Sequence, residues 1–372
     1  MRLQLARTPS RRSLVWAVPV LTIGVVVGSG LAISTASANS HPALPARTAA
    51  QLVAAVGSSA VQGLSGTVVE TARLGLPSLP GADGGASLSW QSLVTGSHTA
   101  QVWIAGVDRQ RVAVQGSLAE SDVIHNGQDL WVYTSNTNQV THTILTRKNG
   151  SDTAFGTSPD ARSLTPEGAA QQALAAINPT TSVSVDSTQV VAGQPAYTLV
   201  LTPRDARSTV RKVTIAIDST HFVPLQVQVY GAGSLPVFET GFVSGVSFST
   251  PKASVFDFHA PAGSTIGPDP FGMRRHAGRP APGLPSGSVA PDPSSKPKVI
   301  GTGWTAIAEL PAGLPAGPTS ALLTKLTTPV GTTGNKLLTT SLLNVLVLND
   351  GRVFLGAVSA SMLEQTAAAT PQ

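Results

Sequence analysis

Between Arg211 and Gly231 apolar and polar positions alternate: Val213, Ile215 and Ile217 fall on one side of an extended chain, and Val223, Leu225, Val227 and Val229 follow after a polar Asp218-Ser219-Thr220-His221 stretch. This predicts a hairpin with one apolar face. Such a face has to be covered by the sheet's own helices, a second sheet or a ligand. The same period runs through GTVVETAR from 66, TAQVWIAG from 99, QRVAVQG from 110, SDVIHNG from 121, DLWVYTS from 129 and NQVTHTIL from 138. It resumes from 181, 196, 210, 223 and 235, with turn residues between the runs, so an antiparallel meander is expected.

Two stretches change to helical spacing. Ala46 to Ala60 places Ala49, Leu52, Val53 and Val56 on one stripe with Thr48 as a cap, and 165–177 starts with Thr165-Pro166 and stops at Asn178-Pro179. From 267 to 298 the chain is dense in proline and glycine and holds Arg274, Arg275 and Arg279, which reads as a linker. Beyond it, 299–372 reads as a small α+β domain, with a helix around ALLTKL from 321 and a hairpin turned at Asn349-Asp350-Gly351. A shared core is not expected to cross so proline-rich a linker, so two separable pieces are expected.

The N-terminus changes the charge balance. Arg2, Arg7, Arg11 and Arg12 precede an apolar run over 14–33 that is interrupted by Pro19, Gly28 and Gly30, and Ala36-Ser37-Ala38 follows. Residues 1–38 therefore read as an export signal of the general secretory type, with the mature chain starting near Asn39; an uncleaved anchor over 14–33 is the alternative, and Ser10-Arg11-Arg12 loosely matches a twin-arginine signal. These residues carry four arginines and no acid, so losing them lowers the formal charge from +5 to +1. A nucleic-acid partner is not expected, because the cations sit in the signal and the linker. The 372 residues contain no cysteine, which excludes disulfides, thiolate metal sites and lipid attachment through a terminal cysteine.

Candidate chemistry is sparse. The histidines His98, His125, His142, His221 and His259 stand singly, and the chain holds no H-E-x-x-H, no G-x-S-x-G elbow, no phosphate loop and no dinucleotide fingerprint. Without a nucleophile paired to a base no enzyme is expected, and neither a cofactor nor a metal is called for. Trp90, Trp103, Trp131 and Tyr133 gather in the first half of the meander, where they either fill a core or line a concave apolar surface.

At this point the residues resemble a family. HNGQDLWVYTSNTNQV over 125–140, GQPAYTLVLTP from 193, the hairpin with Asp218 and Pro224, and VFDFHAPAG from 255 follow in the order of the LolA/RseB-like superfamily, covering roughly 100–265. The resemblance implies an α+β fold: a curved antiparallel half-barrel sheet over 39–266 with covering helices, joined by the 267–298 linker to the small C-terminal domain. It implies that acyl chains or lipoproteins are held on the concave apolar face, with Trp103, Trp131, Tyr133, Val213, Ile215 and Ile217 as ligand-binding candidates. Arg111, in DRQRVAV, matches the carrier's gating arginine or is a solvated strand residue. The second domain is closer to the regulatory branch, which implies a membrane anti-sigma factor as the alternative partner. The expected location is extracytoplasmic, in the cell envelope, with membrane contact only through the N-terminal segment.

Overall fold

The computed structural model describes residues 41–57, 59, 61–76, 95–116, 119–145, 180–267, 297–312, 326–331 and 334–370. The alternating runs become strands β1 (Gly63–Arg73), β2 (Thr95–Ala105), β3 (Arg109–Gln115), β4 (Glu120–Asn126), β5 (Asp129–Thr134) and β6 (Gln139–Ile144). The second set is β7 (Thr181–Val191), β8 (Gln194–Pro203), β9 (Lys212–Asp218), β10 (Pro224–Tyr230), β11 (Pro236–Ser247) and β12 (Thr265–Ile266). They form one twelve-stranded sheet in the order β12-β6-β5-β4-β3-β2-β1-β11-β10-β9-β8-β7. Every junction is antiparallel except the short parallel pairing of β12 with β6. Register shifts in the β1–β11, β9–β10 and β7–β8 pairs increase the twist, and the sheet curls until β7 comes back beside β11.

Local chemistry explains the elements that matter for the site. The Asp218 carboxylate accepts hydrogen bonds from the backbone N–H groups of Thr220 and His221 and so closes the β9–β10 turn, which Phe222 completes at φ 56°. Helix α1 (Ala49–Gly57) is started by a reciprocal cap. The Gln51 N–H donates to Thr48 Oγ1 at 3.2 Å and the Thr48 N–H to Gln51 Oε1 at 2.9 Å. The helix expected over 165–177 and Trp90 lie outside the described residues.

The C-terminal unit is a second antiparallel sheet of β13 (Lys298–Ile300), β14 (Ile307–Leu310), β15 (Thr328–Val330), β16 (Asn335–Thr339), β17 (Asn344–Val347) and β18 (Val353–Gly356), ordered β13-β14-β18-β17-β16-β15. Gly351 turns the β17–β18 hairpin at φ 89°, a conformation that favours glycine. Helix α2 (Ala360–Ala368), which the periodicity reading missed, starts at Ser359, whose hydroxyl accepts from the Met362 N–H, and buries Leu363 and Ala367 against Ile307, Leu346 and Phe354. The helix expected around 321–326 falls largely outside the described residues.

The expectation of two pieces without a shared core is overturned. Leu52 of α1, Leu199 and Leu201 of β8, and Val213, Ile215 and Ile217 of β9 form one buried cluster with Trp304, Leu342 and Ala357 of the C-terminal unit. Hydrogen bonds cross the same boundary. Ser341 N–H donates to the Leu74 carbonyl at 2.8 Å, Thr209 N–H to Ala357 O at 2.9 Å, and Trp304 Nε1 to Thr181 Oγ1 at 2.7 Å. The backbones come so close that a Cβ on Gly231 would lie 2.6 Å from the Ser341 carbonyl oxygen. Proline in the linker limits only the linker's own packing; apolar residues on either side of it still meet.

A buried polar row interrupts the apolar side. Thr240 of β11, Glu70 of β1 and His98 of β2 are direct cross-strand neighbours, and all three are buried. Loss of hydration pushes the Glu70 carboxyl well above its usual range. The unfolded chain ionises this group at an ordinary carboxylate pKa, so the stability it contributes is full below that value and is lost as pH rises through the raised native one. The melting temperature of Glu70→Gln minus that of wild type should therefore increase from about pH 4 to about pH 8. A difference independent of pH would show that Glu70 does not titrate this way.

Candidate functional site

Cross-strand register sorts the candidate residues by face, because directly opposed residues point to the same side of a sheet. Ile215 opposes Val227, and Val229 opposes Phe238; through Ala72, Glu70 and Val68 of β1 this side continues to Ala100 and Val102 of β2, Val112 and Val114 of β3, Val123 of β4 and Val132 of β5. Trp103 belongs to the other row. It opposes Arg111, which opposes Ile124, which opposes Trp131, which opposes His142. Tyr133, two residues beyond Trp131 in β5, shares its side.

The expected single site is thus corrected: the aliphatic trio and the aromatic group lie on opposite faces. Val213, Ile215 and Ile217 are sealed at 0–3% exposure under Leu52 and Leu342. They fill a core where a ligand wall was expected.

The reverse face has its own cover. After β11 the chain crosses it as a strap, with a single 3-10 turn at Ala253–Val255, and inserts Phe256 among Ala105, Ile124, Trp103 and Trp131. Arg111 pins the strap: its Nη1 donates to the Val255 carbonyl at 3.2 Å, its Nε donates to Asp122 Oδ1 at 2.9 Å, and its guanidinium stands 5.6 Å from the Trp103 ring centre. It is partly buried and held on three sides, which removes the solvated-strand alternative. Beside the strap opens a cleft of about 460 Å³ lined by Asn126, Asp129 and Trp131 on one wall and Phe256, Asp257, Phe258 and His259 on the other. Trp131 stacks on His142 at 3.8 Å, and His142 Nε2 lies 2.7 Å from Asp129 Oδ1. The VFDFHAPAG stretch that supports the family resemblance therefore supplies half of this cleft. Phe256 and Phe258 stand on a stretch that belongs to no strand, and both line the cleft.

Among the described residues no group of three or more histidine, aspartate or glutamate side chains is placed to hold a metal ion, and no helix is long and apolar enough to cross a membrane. The apolar run over 14–33 lies outside the described residues.

No protein-family model matches the sequence, and no curated protein matches it. Solved structures do. The complex of MucA with MucB from Pseudomonas aeruginosa is 14% identical at a TM-score of 0.43, covering 86% of this chain and 96% of that chain. A conserved uncharacterized protein from Thermus thermophilus is 12% identical at a TM-score of 0.34, covering 59% and 97%. A LolA superfamily protein from Nitrosomonas europaea is 14% identical at a TM-score of 0.23, covering 57% and 99%. The structures to which the chain is similar thus include a MucB complex and a LolA superfamily protein.

Proposed function

We propose that the protein is an exported cell-envelope binding protein that holds acyl chains or lipoproteins against the apolar face of its large sheet. The observation that carries this reading is the make-up of that face in β1 to β4, where Val68, Ala100, Val102, Val112, Val114 and Val123 follow one another across the strands, all buried and the first five packed in one cluster with Val191, Val223, Leu225 and Phe242. Small, branched side chains without polar groups hold hydrocarbon by area alone, at about 0.8 kcal/mol per buried methylene. They select for a chain and ignore its head group. The export signal and the superfamily resemblance support the same reading. Val213, Ile215 and Ile217 bound this site at its closed end, and a ligand gains the face by displacing the Val191, Val223 and Leu225 side chains packed on it.

Titration of the exported form, beginning at Asn39, with a fluorescent hexadecanoyl probe tests this. Saturable binding is expected, and Val112→Leu should weaken it by narrowing the face, at an overpacking cost of about 1–3 kcal/mol. A folded wild type that binds no probe removes the carrier reading.

One observation favours a second reading, a regulator that binds a membrane anti-sigma factor. The C-terminal unit contributes Trp304 and Leu342 to the core beneath the apolar face, so a partner that moves this unit changes that face as well. An anti-sigma factor encoded beside this chain and captured by it, with no acyl binding, selects this alternative.

A further inference from the structure

One end of the large sheet carries a cationic rim that acyl binding does not use. The connection from β8 to β9 with the first residue of β9, 204–212, holds Arg204, Arg207, Arg211 and Lys212 against one carboxylate, Asp205, and all four cations are exposed. Local bonds fix this loop. Arg207 is forked onto Asp205, with Nη2 2.6 Å from Oδ2, and Arg211 Nη1 donates to the Ala206 carbonyl at 3.2 Å. The Arg211 N–H donates to the Tyr230 carbonyl at 2.8 Å and so seats the loop beside the end of β10.

From there the rim continues across the neighbouring strands. Lys212 opposes Tyr230 and holds its ammonium 4.5 Å from the ring centre, Tyr230 opposes Pro236, and the Pro236 carbonyl accepts from Nη1 of the exposed Arg73 at 3.4 Å. Glu239, farther along β11, has its carboxylate engaged by the Gln226 and Gln228 side chains at 2.8 and 3.1 Å. Between Tyr230 and Pro236 the chain rises as Gly231-Ala232-Gly233-Ser234-Leu235, and Leu235 is 69% exposed. A single leucine in water is ordinary. One carried on a loop of small residues and flanked by Lys212 and Arg73 presents hydrocarbon and positive charge together.

We propose that this end of the sheet docks on an anionic lipid bilayer, with Leu235 entering the acyl boundary and Arg73, Arg204, Arg211 and Lys212 lying on the phosphate groups. Charge complementarity selects the occupant. A bilayer supplies both of the parts this surface asks for, negative charge in the headgroup layer and hydrocarbon beneath it. The flexible stems of lysine and arginine let their charges stay among the headgroups while the leucine goes deeper. This contact adds to the N-terminal one that the sequence predicts, and it does not depend on acyl binding.

The test mixes the exported form, which lacks the apolar run over 14–33, with vesicles of phosphatidylcholine alone or with an equal share of phosphatidylglycerol, and reads the bound fraction by flotation. Binding is expected only with phosphatidylglycerol. Arg204→Gln combined with Lys212→Gln should weaken it about twentyfold, since each cation at such a surface contributes about fivefold. Leu235→Ser should weaken it about tenfold. Replacing the linker cations, as Arg274→Gln with Arg275→Gln and Arg279→Gln, should weaken it less than the rim pair does. Because the chain has no cysteine, Leu235→Cys takes a single environment-sensitive fluorophore. Its emission should shift to the blue on phosphatidylglycerol vesicles, whereas the same label on Val107→Cys, exposed in the β2–β3 turn at the opposite end of the sheet, should not shift. All of the substituted rim positions are exposed, so these variants fold as wild type does. The proposal is overturned if wild type does not bind the anionic vesicles, which would leave an acidic protein surface as the occupant of the rim. It is equally overturned if the rim pair binds as wild type does, if the linker variant loses more binding than the rim pair, or if the Leu235 label does not shift.

Discussion

Ile215→Asp should abolish the native fold at neutral pH. Ile215 has no exposed surface and sits in the cluster between Leu52 of α1, its β8 neighbours and Leu342 of the C-terminal unit. An ionised carboxylate there loses its hydration and finds no cation in the cluster, a cost of several kcal/mol even after the surroundings relax. A domain is stable by only about 5–15 kcal/mol, so that loss, added to the lost burial of isoleucine, exhausts most of it. Circular dichroism should show a collapsed or absent melting transition at pH 7 and partial recovery at acid pH, where the carboxyl is neutral. A variant that melts as wild type does would mean that water reaches Ile215, and would restore it as a ligand contact.

Trp304→Ala tests the join between the two units. The indole is 6% exposed, donates to Thr181 Oγ1 on β7 and packs in the same cluster as Leu199 and Ile215. Removing it opens a cavity and takes one hydrogen-bond partner from the buried Thr181 hydroxyl, and truncations of this size cost about 3–5 kcal/mol. Because the cluster belongs to both sheets, both should melt earlier and in one transition. Proteolysis within 268–296 should leave two fragments that elute together from a gel-filtration column, and Trp304→Ala should let them separate. Separation of the wild-type fragments would instead support independent domains.

Much of the architecture was legible along the chain because its causes are local. Alternation of Val213, Ile215 and Ile217 dictates that they share one side, since successive side chains of a strand point to opposite faces. Thr48 and Gln51 mark the start of α1 by reaching each other's backbone within one turn, and Asn349-Asp350-Gly351 turns a hairpin through the freedom of glycine at positive φ. Helix α2 was missed because its small residues, SMLEQTAAAT, carry too few apolar positions for a stripe to stand out.

What lay beyond the sequence concerns segments far apart in it. Whether Trp103 and Ile215 share a face depends on four successive strand pairings, β2–β1–β11–β10–β9, and each could have placed them together or apart. Their separation turned one expected pocket into a sealed core and a reverse-face cleft. The cover over β9 was equally invisible, because Leu342 and Trp304 reach it from beyond the linker, and burial rewards any apolar surface that fits without regard to its distance along the chain. Periodicity states which residues of a strand travel together; which distant surface meets them is set by the pairing order and by what packs across it.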